Sequence, residues 1–173
     1  MDSTDHLRAF LEGAGLGGGD PEFGGTPERV AELLRSFAPV PVRPPTLCAT
    51  TARSPVAVTG LQFHSLCVHH LLPFFGTVSV GYVPREHLVG FGSIPRLVED
   101  LSRRLQLQER LSEQVLAQLV EWLAPESAVV VVRARHLCME MRGARAAGEV
   151  FTIATHGAPP PTLVDEVRSA GRG

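Results

Sequence analysis

The sequence predicts an α+β domain, and three observations predict it. Two strand-like stretches, residues 56–63 and 74–83, come first. Two stretches with apolar residues at three- and four-residue spacing, 94–105 and 111–123, follow them. Two further strand-like stretches, 128–134 and 150–155, complete the order β-β-α-α-β-β.

Ahead of this body, residues 5–11 have the character of a short helix ended by the glycines between positions 13 and 19. Thr26 and Pro27 supply an N-cap and a first-turn proline for a second helix, in which Val30, Ala31, Leu33, Leu34 and Phe37 recur at helical spacing until Pro39. Four prolines within residues 39–45 exclude a helix there and make a stiff linker. Residues 74–83 alternate around Gly76 and are expected to pair antiparallel with 56–63. Both later amphipathic stretches put charges opposite their apolar face, and Pro125 stops the second. Residues 128–134 are β-branched and apolar, as an interior strand requires; 150–155 is a weaker strand. From Pro159 onward an exposed tail with one short helix over 163–167 is expected. The organisation is therefore a helical region and linker (1–45), a central body (46–157) and a C-terminal tail (158–173).

A chain of 173 residues can bury one core with a terminal appendage. With 44% hydrophobic and 20% charged residues it is not a disordered chain. The net charge of -2 excludes a surface that holds nucleic acid or an anionic membrane by bulk charge, so an anionic ligand must be gripped by local arginines. All 16 basic residues are arginine, and a site that elsewhere uses an ammonium group must here use guanidinium or do without. The longest apolar runs, such as 128–132, fall far short of the roughly 20 residues that cross a bilayer. The opening MDSTDHLRAF lacks an apolar signal core, so cytoplasmic residence is expected, with neither nucleic acid nor membrane as partner. Three cysteines fit metal ligation or free thiols better than a disulfide framework.

Cys67-Val68-His69-His70 sets a thiol and an imidazole three residues apart, close enough to hold one ion from a single turn. The alternative is a buried cysteine beside core histidines. His136-Leu137-Cys138 follows the interior strand and offers a third soft ligand if antiparallel pairing brings it alongside. Three protein ligands leave one tetrahedral position for water, the pattern of a catalytic zinc rather than a structural one.

The segments HSLCVHHLLPFFGTVSVGYVP, LQLQERLSEQV and RHLCMEMRG, in this order, resemble the signature segments of the GTP cyclohydrolase I family, and TPERVAELL resembles its helical entry. The resemblance spans roughly residues 6–157. It implies a tunnelling fold, in which four-stranded antiparallel sheets with two helices on one side assemble into a barrel. It also implies Zn2+ on Cys67, His70 and Cys138, with proton handling by His69 and His136. Glu109, preceded by Gln108, would anchor the guanine edge, since a carboxylate suits its paired N–H donors. Arg29, Arg96 and Arg142 match phosphate-binding arginines. The implied partners are a guanine nucleotide or related purine and further copies of the chain, as a homodecamer with active sites between subunits.

The chain departs from that family pattern at four positions. Gly92 and Ser93 stand where the family usually has serine then lysine, Glu32 where it often has lysine, and Val68 where it has glutamate. Ser93 could partly replace the missing hydroxyl and is kept as a substrate-binding candidate. These changes thin the phosphate machinery and spare the hydrolytic one. Three readings follow: a cyclohydrolase acting on GTP with formate release, a ring-opening hydrolase for a less phosphorylated or modified purine, and a non-catalytic nucleotide-binding paralogue.

Overall fold

A computed structural model describes residues 2–17 and 19–170, which fall into two compact units, Met1–Ala38 and Pro39–Gly173. In the first, α1 (Ser3–Gly13) starts from a capping box in which the Asp2 and Asp5 carboxylates accept each other's backbone N–H. Gly15 and Gly17 adopt positive φ after it; Gly18 of the expected glycine stretch lies outside the described residues. A 3-10 turn over Pro21–Gly25 runs directly into α2 (Thr26–Arg35). Thr26 was expected as the N-cap, but Gly25 holds that place because the preceding turn already coils the chain. The Thr26 hydroxyl instead accepts from Arg29 at 3.1 Å.

The second unit contains β1 (Leu47–Ala49), β2 (Val56–Cys67), β3 (Pro73–Val83), β4 (His87–Val89), α3 (Ser93–Ser102), β5 (Leu105–Gln106), α4 (Gln108–Leu123), β6 (Ser127–His136), α5 (Leu137–Glu140), β7 (Glu149–His156) and α6 (Pro161–Ser169). The main sheet has the order β5-β2-β3-β6-β7, and β1 pairs with β4 separately. The expected four-stranded antiparallel sheet therefore gains a fifth member. The helix expected over 94–105 ends instead at Ser102, and Leu105 and Gln106 pair in parallel with Leu66 and Cys67. The chain is α+β with a mixed sheet.

Alternation along β6 sorts the core. Ala128, Val130, Val132 and Ala134 face Ile94, Leu97 and Val98 of α3 and Leu111, Val115 and Leu119 of α4. Val129 and Val131 face the other way, onto Leu163 and Val167 of α6. The tail expected to be exposed thus carries a helix that buries Leu163 and Val167 (5% and 0% exposed) on the sheet; residues 171–173 lie outside the described ones. The proline-rich segment expected as a linker is fastened to α3, because the Arg43 backbone N–H and guanidinium both donate to the buried Asp100 carboxylate. A bulge between Val58 and Leu61 is built on Gly60, whose φ of +70° favours glycine and whose N–H donates to the Ser79 hydroxyl. Among the described residues no helix is long and apolar enough to cross a membrane.

At Gly76 the neighbouring strand lies so close that an added Cβ would run into the Arg133 carbonyl and come within 2.8 Å of the Ala134 Cα. The nearest atoms are all backbone of β6, so nothing there can swing away. Gly76→Ala is expected to destabilise the fold by at least about 2 kcal/mol, read as a fall in the urea midpoint with the m-value retained.

Candidate metal centre and its surroundings

β2 ends at Cys67, and the chain turns at once. The Cys67 carbonyl accepts from the backbone N–H of His70 and Leu71, while Leu71 takes a left-handed conformation at φ +55°. This turn swings the His70 ring back over Cys67, bringing Nδ1 to 3.8 Å from Sγ. The parallel pairing with β5 steadies the same point, since Val68 N–H donates to the Gln106 carbonyl.

Cys138 arrives from the other side of the sheet order. β3 pairs with β6 in a register that ends at Phe74 opposite His136, and the single turn α5 then carries Cys138 back toward the β2 end. A bidentate ion pair from Arg135 to Glu140 (3.0 and 2.7 Å) braces that turn. The donor atoms of Cys67, His70 and Cys138 all lie within 4.8 Å of one another.

A tetrahedral ion with sulfur ligands at about 2.3 Å and nitrogen at about 2.0 Å requires donor separations of about 3.6–3.8 Å. The cluster meets that demand with little adjustment, and two thiols with one imidazole form a donor set suited to zinc. These residues fit a metal ion. Burial, with the neighbouring Cys67 adding to it, pushes the Cys138 thiol up, while Arg142 pulls it down. Deprotonation must therefore be coupled to metal uptake.

His136 sits beside the cluster and is held on two sides. Its ring stacks on Phe74, with centroids 4.7 Å apart and planes 7° from parallel, and its Nε2 lies 2.8 Å from Gln108 Oε1. Burial pushes its pKa down, and the Glu109 carboxylate opposes that shift. His69 approaches Cys67 as closely as His70 does, with Nδ1 at 3.9 Å from Sγ, but it is not part of the three-donor group. Its exposed ring meets His70 edge-on at 6.0 Å.

The remaining candidates separate. Glu109 stands exposed in the first turn of α4, and Arg142 is exposed two residues beyond α5. Gln108, expected at the substrate, is only 2% exposed and directs its amide into the fold. Ser93 is also 2% exposed, its hydroxyl accepting from the Thr46 N–H at 3.0 Å and from Arg96 at 3.1 Å. Arg96 is thus engaged with Ser93 at the start of α3. Arg29 belongs to α2 in the first unit, where it donates to Thr26. Phe74 was missed in the sequence because its role depends on which β6 residue it opposes.

Fold and site together define an α+β sheet protein that presents one thiol–imidazole–thiol cluster at the end of its central strands. The chain belongs to the GTP cyclohydrolase I family, whose sequence pattern matches residues 3–160. GTP cyclohydrolase 1 of Campylobacter lari is 52% identical over 92 residues, which cover 53% of this chain and 48% of the relative. GTP cyclohydrolase 1 of Helicobacter pylori (strain G27) is 40% identical over 124 residues, covering 68% and 69%. The chain spans about half the length of the Campylobacter relatives it matches. Among solved structures, the archaeosine synthase QueF-Like in its apo form covers 64% of this chain and 100% of its own, with a TM-score of 0.50 and 21% identity. That likeness is one of fold.

Because the Cys138 thiol is raised, it is protonated at neutral pH and must release its proton to bind a metal. Apparent metal affinity is therefore expected to rise with pH, by up to about tenfold per unit for each proton released. Competition titrations with a chromogenic chelator at pH 6, 7 and 8 measure the slope, and Cys138→Ala should flatten it while weakening binding.

Proposed function

We propose that this protein is a zinc-dependent cyclohydrolase that opens the imidazole ring of a guanine nucleotide at C8 and releases that carbon as formate. The family's net reaction is GTP and water to 7,8-dihydroneopterin triphosphate and formate. The observation that carries the reading is the Cys67, His70 and Cys138 cluster with a positioned, partly buried His136 beside it. When bound, zinc supplies Lewis-acid activation of water at neutral pH.

The chain's own groups account for recognition and proton handling. Glu109 can accept the two parallel N–H donors on the guanine edge. His136 and His69, flanking the ligands, manage protons as the ring opens. Arg142 is assigned to the phosphate end, together with Arg96 and Arg29 once they exchange their hydroxyl partners Ser93 and Thr26 for phosphate oxygens, since an all-arginine chain must bind phosphate through guanidinium groups. Assembly as a homodecamer of tunnelling-fold subunits, with sites between copies and residence in the cytoplasm, completes the proposal.

A second reading, a less phosphorylated or modified purine, is favoured by one observation. Ser93 stands at a family lysine position, and its hydroxyl is buried and occupied by Thr46 and Arg96. It adds no cation for a triphosphate.

Incubation with GTP, GDP, GMP and guanosine, following formate and pterin fluorescence, separates these readings. Formate and pterin from GTP support the first. A higher kcat/KM for formate release from GMP or guanosine than from GTP selects the second. No formate from any purine, despite bound zinc and nucleotide, overturns both and leaves a non-catalytic binding paralogue. Glu109→Gln is expected to lower kcat/KM on the preferred purine by about 10- to 100-fold, the cost of losing charged hydrogen bonds.

A further inference from the structure

The geometry points to Gln108 as a positioning residue that locks neutral His136 as the Nε2–H tautomer and leaves Nδ1 as the ring's lone pair for the reaction. This inference rests on the cyclohydrolase reading for its catalytic consequence, though not for the tautomer itself.

The argument starts from the amide of Gln108, the first residue of α4. Its Nε2 donates to two backbone carbonyls on adjacent strands, Val132 of β6 at 3.1 Å and Val150 of β7 at 2.9 Å. Carbonyl oxygens only accept, so the NH2 end must face them and the side chain cannot be reversed without setting oxygen against oxygen. Oε1 is thereby aimed at His136 Nε2, 2.8 Å away. An amide oxygen only accepts as well, so Nε2 must carry the hydrogen.

Phe74 removes the alternative. Turning the imidazole over would exchange Nε2 for Cε1 and forfeit the bond to Gln108, while any intermediate tilt is blocked by the parallel stack on a ring that is itself 0% exposed. Among the described residues no group hydrogen-bonds Nδ1. The neutral ring therefore has one donor consumed by the scaffold and one acceptor left over. A histidine free to exchange tautomers would spend part of its time with a hydrogen at Nδ1, unable to accept a proton there. Gln108 removes that fraction through two strand carbonyls.

The test begins with the wild-type protein loaded with zinc and labelled with 15N-histidine. Long-range 1H–15N correlation spectra, with His136 assigned by the signals lost in His136→Gln, should show a pyrrole-type Nε2 and a pyridine-type Nδ1 at alkaline pH. An Nδ1–H pattern overturns the inference with no variant required. In Gln108→Met, which keeps length but removes both amide functions, the His136 shifts should move to averaged tautomer values. kcat for formate release should fall by about tenfold or more, with KM within about threefold and zinc content unchanged. Unaltered shifts, or an unaltered kcat, overturn the positioning role. Failure of the wild type to release formate would sink the cyclohydrolase reading, while the spectra would still decide the tautomer.

Discussion

The antiparallel register between β3 and β6 is the constraint on which the rest of the site depends. It runs without interruption from Val83 opposite Ser127 to Phe74 opposite His136. At its lower end it sets the stacked pair, aims α5 so that Cys138 returns to Cys67, and turns Val132 toward α4, where its carbonyl meets Gln108. A slip of one residue would send every β6 side chain to the opposite face, moving the apolar even-numbered residues away from α3 and α4. The register is held by the core it sorts: Val130 and Val132 are 0% exposed on one face, and Val129 is 0% exposed on the other. Stability and site geometry have a common origin here, because the packing that forbids slippage also brings Cys138 to the Cys67 and His70 donors.

Close approach of the two strands at Gly76 extends the same logic. Without a side chain at that point, β3 and β6 come nearer than any larger residue allows, just two positions from the Phe74–His136 pair. Gln108 then adds a third strand by bridging β6 to β7 from the helix side. His136 is thus held by groups whose own positions are set by backbone pairing, which is the most rigid support a side chain can have.

Much of this was legible in the sequence, and what was not has a physical reason. Period-two and period-3.6 patterns report local burial, so the four long strands and α3 and α4 were recognisable within a few residues. Cys67 and His70 were recognisable as a pair because one turn brings them together, whereas Cys138 joins them only through the β3–β6 register. The partners of Gln108 were hidden for a related reason. In sequence it is a polar residue beside Glu109 at a helix start, and nothing local reveals that two strand carbonyls wait beneath it. α6 was underestimated because Leu163 and Val167 are its only buried residues, too few for a strong pattern even though both are fully engaged on the sheet. The early end of α3 before residue 105 was hidden likewise, since the partner of Leu105 in β2, Leu66, lies almost forty positions earlier.

The departures from the family pattern follow the same division between locked and free positions. Val68, Glu32 and Gly92 are exposed, and none places a side chain in the buried core; the bond that Val68 gives to β5 comes from its backbone, which any residue but proline retains. Changing such positions costs little stability, so selection on ligand preference can act there without disturbing the fold. Ser93 is the instructive exception, because it is buried and its hydroxyl satisfies the Thr46 N–H and an Arg96 donor. A lysine at that place would have to carry its charge outward past α3 and leave the Thr46 N–H to find another acceptor. The exchange of a long cation for a short hydroxyl is therefore a local rebuilding of the loop before α3 as well as the loss of a charge. His136, Gln108 and Cys138, placed by the central register, have no such freedom, because moving any of them disturbs the pairing or the bonds that hold the sheet.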